Sequence, residues 1–268
     1  MKLSSSRLMS TGLVLVKLGG SVVTFKQRRL TPNHKAIVNI CKMLEKIDRP
    51  IIIVHGGGSF GHYWSVRYDM HTRPKQYDPR GISTVHQSMV TLNEIIVSIM
   101  KKYKLLPYTI MPNALAFKSK PCNERILDLR TIANRNIIPV TFGDVIHVRG
   151  GKFSILSGDV LMTMLARALR PMKVIFAVNV DGVYQNLKNG KLISEVDEIR
   201  FKSLELSKVK SDITGGMKRK MSEGLKMASL GINVMMVNGL KPRRIIDAIT
   251  GSSFEGTLIK ASSGSNYV

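Results

Sequence analysis

Apolar residues in this chain fall into short β-branched runs, separated by longer stretches in which they recur every three or four positions. Leu13–Leu18, Ile51–His55, Ile137–Thr141, Val174–Asn179 and Val234–Asn238 are strand-length runs with little polar interruption. That is the pattern of strands buried on both faces of a sheet. Between them, Pro32–Ile47, Thr84–Met100, Gly158–Ala168 and Gly216–Leu230 carry apolar positions near helical spacing. The alternation predicts an α/β fold around a mostly parallel sheet. Arg67–Arg80, rich in charge, Tyr and Pro, predicts a loop or lid. Pro171 interrupts a helical pattern just before a strand, which places a lobe boundary near Leu169–Lys173. Ala261–Val268 is expected to be a loose tail.

Charge narrows the partners. The 268 residues include 41 Lys and Arg against 18 Asp and Glu, a formal charge of +23. A field of that sign draws nucleotides, phosphorylated metabolites and RNA alike. The basic residues are scattered, with no long Lys/Arg block and only 6% aromatic content, so nucleic acid is not expected as the primary partner. Two cysteines, Cys41 and Cys122, make neither a disulfide scaffold nor a zinc site and suit a reducing compartment. No apolar run reaches the roughly 18 residues a membrane span needs, so a cytoplasmic protein is expected. Residues 1–12 lack the apolar core of a secretory signal and read as a flexible lead outside the fold.

Five glycine-containing turns carry the candidate chemistry. Lys17-Leu18-Gly19-Gly20-Ser21 follows the first strand, where glycines allow a phosphate close to the backbone and a lysine supplies a point charge. A structural turn remains open for it, and a Walker-type P-loop is absent. His55-Gly56-Gly57-Gly58-Ser59-Phe60-Gly61-His62 follows the second strand. Four glycines in eight residues are costly in chain entropy, which favours a close ligand over a mere turn, and a helix starting beyond Gly61 would add its positive end. His62 can supply a cation or a proton near neutrality, whereas His55, at a strand end, reads as structural. Ser157-Gly158-Asp159 opens a helix, where the aspartate is either an N-terminal cap or a holder of lysines. Asp181-Gly182-Val183-Tyr184 alone would be a routine turn. The stretch Asp212 to Lys220, with Gly215-Gly216-Met217-Lys218-Arg219-Lys220, puts cations in a helix's first turn, the wrong end for the dipole unless an anion binds there.

Together these motifs resemble the amino acid kinase superfamily, and the histidine closing Gly-Ser-Phe-Gly-His is similar to archaeal-type isopentenyl phosphate kinases and to fosfomycin kinases. Asn238-Gly239 and Glu255-Gly256-Thr257 also look like the family, so the likeness covers nearly the whole chain. It implies a three-layer αβα sandwich with an acceptor lobe over 13–170, an ATP lobe over 171–268, and a homodimer. The implied activity is ATP- and Mg²⁺-dependent phosphorylation of isopentenyl phosphate to isopentenyl diphosphate in isoprenoid biosynthesis. A kinase of another phosphate or phosphonate such as fosfomycin is the alternative, and a nucleotide-binding regulator without turnover comes from another class.

By the same resemblance, Lys17 and Lys26 contact the transferring phosphates, with Gly19, Gly20 and Ser21 beside ATP. Gly57, Gly58 and Gly61 offer N–H groups to the acceptor phosphate, His62 binds it, and Gly158 lies nearby. Asp159 organises Lys17 and Lys220, while Asp181, Gly182, Tyr184, Gly216, Met217 and Lys220 border the nucleotide. No residue is expected to ligate a metal directly. The apolar stripe Val85, Met89, Leu92, Ile96 and Ile99 reads first as core, and its place in an isoprenoid pocket comes from the resemblance alone. Two positions depart from the family pattern: Val178-Asn179 stands where Thr-Asp is common, and Phe142-Gly143-Asp144 where His-Gly-Asp is common.

Overall fold

The computed structural model describes residues 12–117, 120–185, 190–197, 199–201 and 215–261. The expected lead before Gly12, the tail after Ala261 and Asp212–Thr214 lie outside the described residues. Among the described residues, eight strands form the central sheet: β1 (Val14–Leu18), β2 (Ile51–His55), β3 (Pro107–Thr109), β4 (Ile138–Phe142), β5 (Lys173–Val178), β6 (Glu195–Val196), β7 (Asn233–Asn238) and β8 (Gly256–Ile259). Their order is β6-β8-β7-β5-β1-β2-β4-β3, and every neighbouring pair is parallel except β7 with β8.

The period of two along each strand sorts side chains onto the two faces. Val14, Val16, Ile51, Ile53, Ile175 and Ala177 pack with the helices His34–Leu44, Pro79–Lys102 and Pro242–Thr250. Leu15, Ile52, Val54, Val174 and Phe176 pack with Asn123–Ala133, Gly158–Leu169 and Gly215–Ala228. The result is the expected three-layer αβα sandwich with a mostly parallel sheet. Lys17 shares the face of Leu15, which aims it at the helix Gly158–Leu169.

Register brings the turns together. Leu18 lies beside both His55 and Ala177, and His55 lies beside Phe142. Gly19, Gly56 and Gly143, and Asn179 one residue further along, therefore leave the sheet side by side at its carboxyl edge, where parallel α/β sheets bind ligands.

Three expectations change. The helix Gly58–Arg67 begins at Gly58 rather than beyond Gly61, and the helix expected from Thr84 begins at Pro79. Asp78 caps that second helix by accepting from the Arg80 N–H at 2.8 Å, with proline in the first turn where no N–H partner is needed. Between these two helices the expected loop is present but anchored. Lys75 and Phe153 exchange backbone hydrogen bonds of 3.1 and 2.9 Å, and Met70 and Tyr77 are buried.

Candidate active site

The first two glycine turns interlock. A Cβ on Gly20 would lie 2.3 Å from the Gly58 nitrogen, so the two backbones touch where any side chain would separate them. Gly58 has φ +49, and a Cβ there would meet Thr24 Oγ1 at 2.0 Å, so only glycine fits without strain. Thr24 ties the contact by donating to the Gly20 carbonyl at 2.7 Å and accepting from the Ser59 N–H at 2.9 Å. The second turn then enters the helix Gly58–Arg67, where the Phe60 and Gly61 N–H groups both donate to the Gly57 carbonyl, at 3.0 and 3.1 Å. Gly61 is therefore spent within the helix, which corrects its expected use as a donor to an anion. Its missing side chain instead admits Met89, whose Sδ lies 2.9 Å from a Cβ built there.

The two histidines of this turn separate in role. His55 is fully buried, stacked on Phe142 with ring centroids 5.1 Å apart, and held 3.3 Å from both the Gly56 carbonyl and Asn93 Oδ1. Burial drives its pKa down to about 4, which keeps it neutral. The structural expectation for His55 stands. His62 is exposed on the helix Gly58–Arg67.

A charge cluster occupies the floor of the site. Lys17, only 4% exposed, forms an ion pair with Asp159 Oδ1. Asp159 Oδ2 lies 3.0 Å from Arg219 Nε and 3.8 Å from Lys220 Nζ. Lys220 Nζ also donates to the Gly216 carbonyl at 3.2 Å. The cap of the helix Gly158–Leu169 is Ser157, which accepts from the Val160 N–H at 3.3 Å. Asp159 is thereby released from capping to face the lysines, which decides between its two readings. A Cβ on Gly158 would sit 3.3 Å from Lys17 Cε, so that glycine makes room for the lysine stem.

Burial pulls the Lys17 pKa down to about 8 although Asp159 opposes it, and burial also lowers that of Lys220. Burial alone would raise the pKa of Asp159, but the charges of Lys17 and Lys220 outweigh it and hold the carboxyl below its usual range. Lys26 is exposed, and close enough to Lys220 for its charge to register there. A buried ion pair of this kind adds little net stability compared with apolar residues of the same volume. Strongly perturbed titratable groups gathered around one buried carboxylate point instead to a functional site.

A second cluster forms beyond β5. Asp181 accepts from Asn238 Nδ2 at 2.8 Å, lies 3.1 Å from Lys241 Nζ, and is paired with Arg244. The Asn238 hydrogen bond, with Lys241 and Arg244, lowers its pKa to about 2. Arg244 also pairs with Glu255, and the Tyr184 hydroxyl lies 3.4 Å from Asp181 Oδ2. Thr257 is fully buried, accepting from the Val183 N–H at 2.8 Å and donating to the Ile193 carbonyl at 2.6 Å. The turn after Asp181 is thus pinned to β8. Ser21 donates to Asn179 Oδ1 at 2.9 Å, linking this region to the first glycine turn.

Residues 12–238 match the Amino acid kinase family. The chain belongs to the amino acid kinase family. Isopentenyl phosphate kinase of Thermoplasma acidophilum is 31% identical over 256 residues, 92% of this chain and 100% of that protein. The isopentenyl phosphate kinase of Methanothermobacter thermautotrophicus is 28% identical over 265 residues, 92% of this chain and 98% of its own. A crystal structure of the T. acidophilum enzyme in a product complex superposes with a TM-score of 0.77 at 30% identity, covering 92% of this chain and 100% of that one.

Within this amino acid kinase fold, both departures from the family pattern have local partners. Asn179 takes the Ser21 hydroxyl, and Phe142 supplies the ring on which His55 stacks. Asp144, 3% exposed, caps the Val145 N–H at 2.7 Å and pairs with His86 Nδ1 at 2.7 Å. His86 was not singled out in the sequence, and neither were Thr24, Arg244 or Lys241, while Arg219 stood out only as one of the cations in a helix's first turn. Only the helical offset between Met89 and His86, three residues, could have suggested the first of these. The apolar stripe divides: Leu92, Ile96 and Ile99 belong to the sheet-facing core, Val85 packs with Met70, Tyr77 and Val145, and Met89 meets the second glycine turn.

Proposed function

We propose that this protein transfers the γ-phosphoryl group of ATP to isopentenyl phosphate, yielding isopentenyl diphosphate and ADP for isoprenoid biosynthesis. The observation that carries the reading is the Lys17–Asp159–Lys220 cluster at the carboxyl edge of the sheet, beside two interlocked glycine turns. A phosphate monoester is largely dianionic at neutral pH, with a second pKa of about 6, so its oxygen attacks without a strong base. The barrier is repulsion between two polyanions, and positioned cations and N–H donors lower it. A bond forms between the acceptor oxygen and Pγ while the bond from Pγ to the β,γ-bridging oxygen breaks, leaving on ADP.

In this reading Lys17 and Lys220 bear on the transferring phosphoryl group, held by Asp159, and Lys26 on the ATP phosphates. Gly57 and Gly58 donate N–H groups to the acceptor phosphate, with Gly158 beside it. Exposed His62 binds that phosphate as a charge-neutralising ligand. Gly19, Gly20, Ser21, Asp181, Gly182, Tyr184, Gly216 and Met217 border the nucleotide, so that 13–170 acts as the acceptor lobe and 171–268 as the ATP lobe. Among the described residues no cluster of three or more His, Cys, Asp or Glu could hold a metal. Mg²⁺ carried in on the nucleotide phosphates would spread negative charge there. A cytoplasmic homodimer completes the proposal, and no described helix is long and apolar enough to cross a membrane.

The test is transfer of label from [γ-³²P]ATP to a panel of isopentenyl phosphate, dimethylallyl phosphate, fosfomycin, N-acetylglutamate and UMP. Label in the prenyl phosphates is expected. No transfer to either prenyl phosphate overturns the substrate assignment, and label in fosfomycin alone replaces it.

A further inference from the structure

Asp159 binds three cations. Lys17 takes Oδ1, and the nearer cation on Oδ2 is Arg219, whose Nε is 3.0 Å away while Lys220 Nζ is at 3.8 Å. Arg219 lies in the first turns of the helix Gly215–Ala228, the end at which the dipole disfavours positive charge. Its ordinary helical partner would be Glu223, four residues on. That carboxylate is already taken, by the Thr163 hydroxyl at 2.6 Å and by Lys226 at 2.7 Å. Arg219 turns instead to a carboxylate that Lys17 already neutralises.

Holding Asp159 in place therefore does not require Arg219, and three cations gathered on one carboxylate repel one another unless a further anion arrives. The chemistry of the side chain says how it would meet that anion. A guanidinium anchored through Nε keeps both terminal nitrogens, four N–H donors in one fixed plane, a geometry that matches phosphate oxygens and that lysine cannot reproduce. Among the described residues neither terminal nitrogen has a hydrogen-bond partner, and the side chain is 51% exposed. It is thus open to solvent while its root is fixed.

We propose that Arg219 is a further catalytic residue, docked on Asp159 through Nε and offering its terminal nitrogens to the phosphoryl group in transit. It acts as a built-in arginine finger, stabilising charge on the non-bridging oxygens as the bond to ADP breaks. The inference rests on the kinase reading above. The mutual repulsion of the cluster agrees with it, since Arg219 adds to the influences that lower the pKa of both Lys17 and Lys220.

The test compares the full chain with Arg219→Ala and Arg219→Lys in steady-state assays with MgATP and isopentenyl phosphate, alongside thermal melts. Arg219→Ala should lower kcat by about 100-fold or more while KM for ATP changes less than about threefold. Guanidinium ion added at millimolar concentration should restore part of the lost kcat, which a merely structural role would not allow. Arg219→Lys should remain at least tenfold impaired, and it decides the matter by itself if the alanine variant does not fold. Turnover of either folded variant within threefold of wild type overturns the proposal, as does a folded Arg219→Ala that guanidinium fails to rescue. Wild-type protein that transfers no phosphoryl group overturns the kinase reading and this inference with it, whereas active wild type with indifferent variants overturns this inference alone.

Discussion

Asparagine at position 159 removes the carboxylate facing Lys17, Arg219 and Lys220 while nearly keeping its volume, and its effect can be worked through from the cluster. Lys17 is 4% exposed, so without its partner it is a buried, uncompensated charge, a loss that costs about 3–5 kcal/mol. Lys17 can relieve part of this by releasing its proton. Burial has already lowered its pKa to about 8, with Asp159 the main opposing influence, so Asp159→Asn moves it lower still and leaves a neutral fraction at pH 7. We take about 3 kcal/mol as the remaining loss, which in a chain of this size lowers the melting temperature by roughly 6–10 °C. ATP phosphates should narrow that gap, because cations that have lost their carboxylate bind an anion more tightly than paired ones, and ligand stabilisation of the folded state grows with affinity.

Turnover should fall by about 100- to 1000-fold, the scale of one removed transition-state interaction. Relative to wild type, Asp159→Asn should recover activity as pH drops from about 8 to 6, because Lys17 regains its proton. The assays are differential scanning fluorimetry with and without MgATP, and kcat against pH. Melting temperature and kcat both at wild-type values would refute the reasoning, and an unchanged pH profile would refute the part that assigns Lys17 the titration.

His62→Ala should reduce kcat by about 100-fold at nearly constant KM for ATP and alter stability by less than about 1 kcal/mol, since the residue is exposed; undiminished turnover would remove His62 from the mechanism. Because burial lowers the pKa of His55 from 6.5 to about 4, its neutral form contributes stability that is fully present above pH 6.5 and lost as pH falls towards 4. That loss approaches about 3 kcal/mol. Urea titrations across this window should show a shallower acid decline for His55→Gln, and identical slopes would contradict the assignment. Gly58→Ala places a Cβ 2.0 Å from Thr24 Oγ1 and 2.5 Å from the Gly20 carbonyl oxygen at φ +49 and should destabilise by about 2–4 kcal/mol; thermal melts that match wild type would contradict the interlock of the two turns.

The five main strands were legible because each is buried on both faces, which writes an unbroken apolar run into the sequence. β3 escaped notice because Pro107–Thr109 is a three-residue edge strand with exposed positions, and the helix Asn123–Ala133 because only Ile126, Leu129 and Ala133 are buried amid charge. The glycine turns and Lys17 were readable as an anion site since glycine's permissiveness and a lysine at a strand end are local properties. What each turn touches is not local. Asp159 could be a cap or an ion-pair partner until Ser157 was found capping, and Gly61 could be a free donor until the helix was found to begin at Gly58. Arg219 and Lys220 are neighbours in sequence, and their order of approach to Asp159 depends on how the helix Gly215–Ala228 is rotated against Gly158–Leu169. No spacing rule encodes that rotation.

The central claim is that the bound acceptor is itself a phosphate, and a competition followed by ³¹P NMR tests it directly. Protein, MgATP, isopentenyl phosphate and N-acetylglutamate are mixed at equal acceptor concentrations. The account predicts that the monophosphate resonance of the prenyl ester is replaced by two mutually coupled diphosphate doublets as ADP appears, with no acyl phosphate signal. ADP formation accompanied by acyl phosphate, with the prenyl monophosphate resonance unchanged, would contradict it.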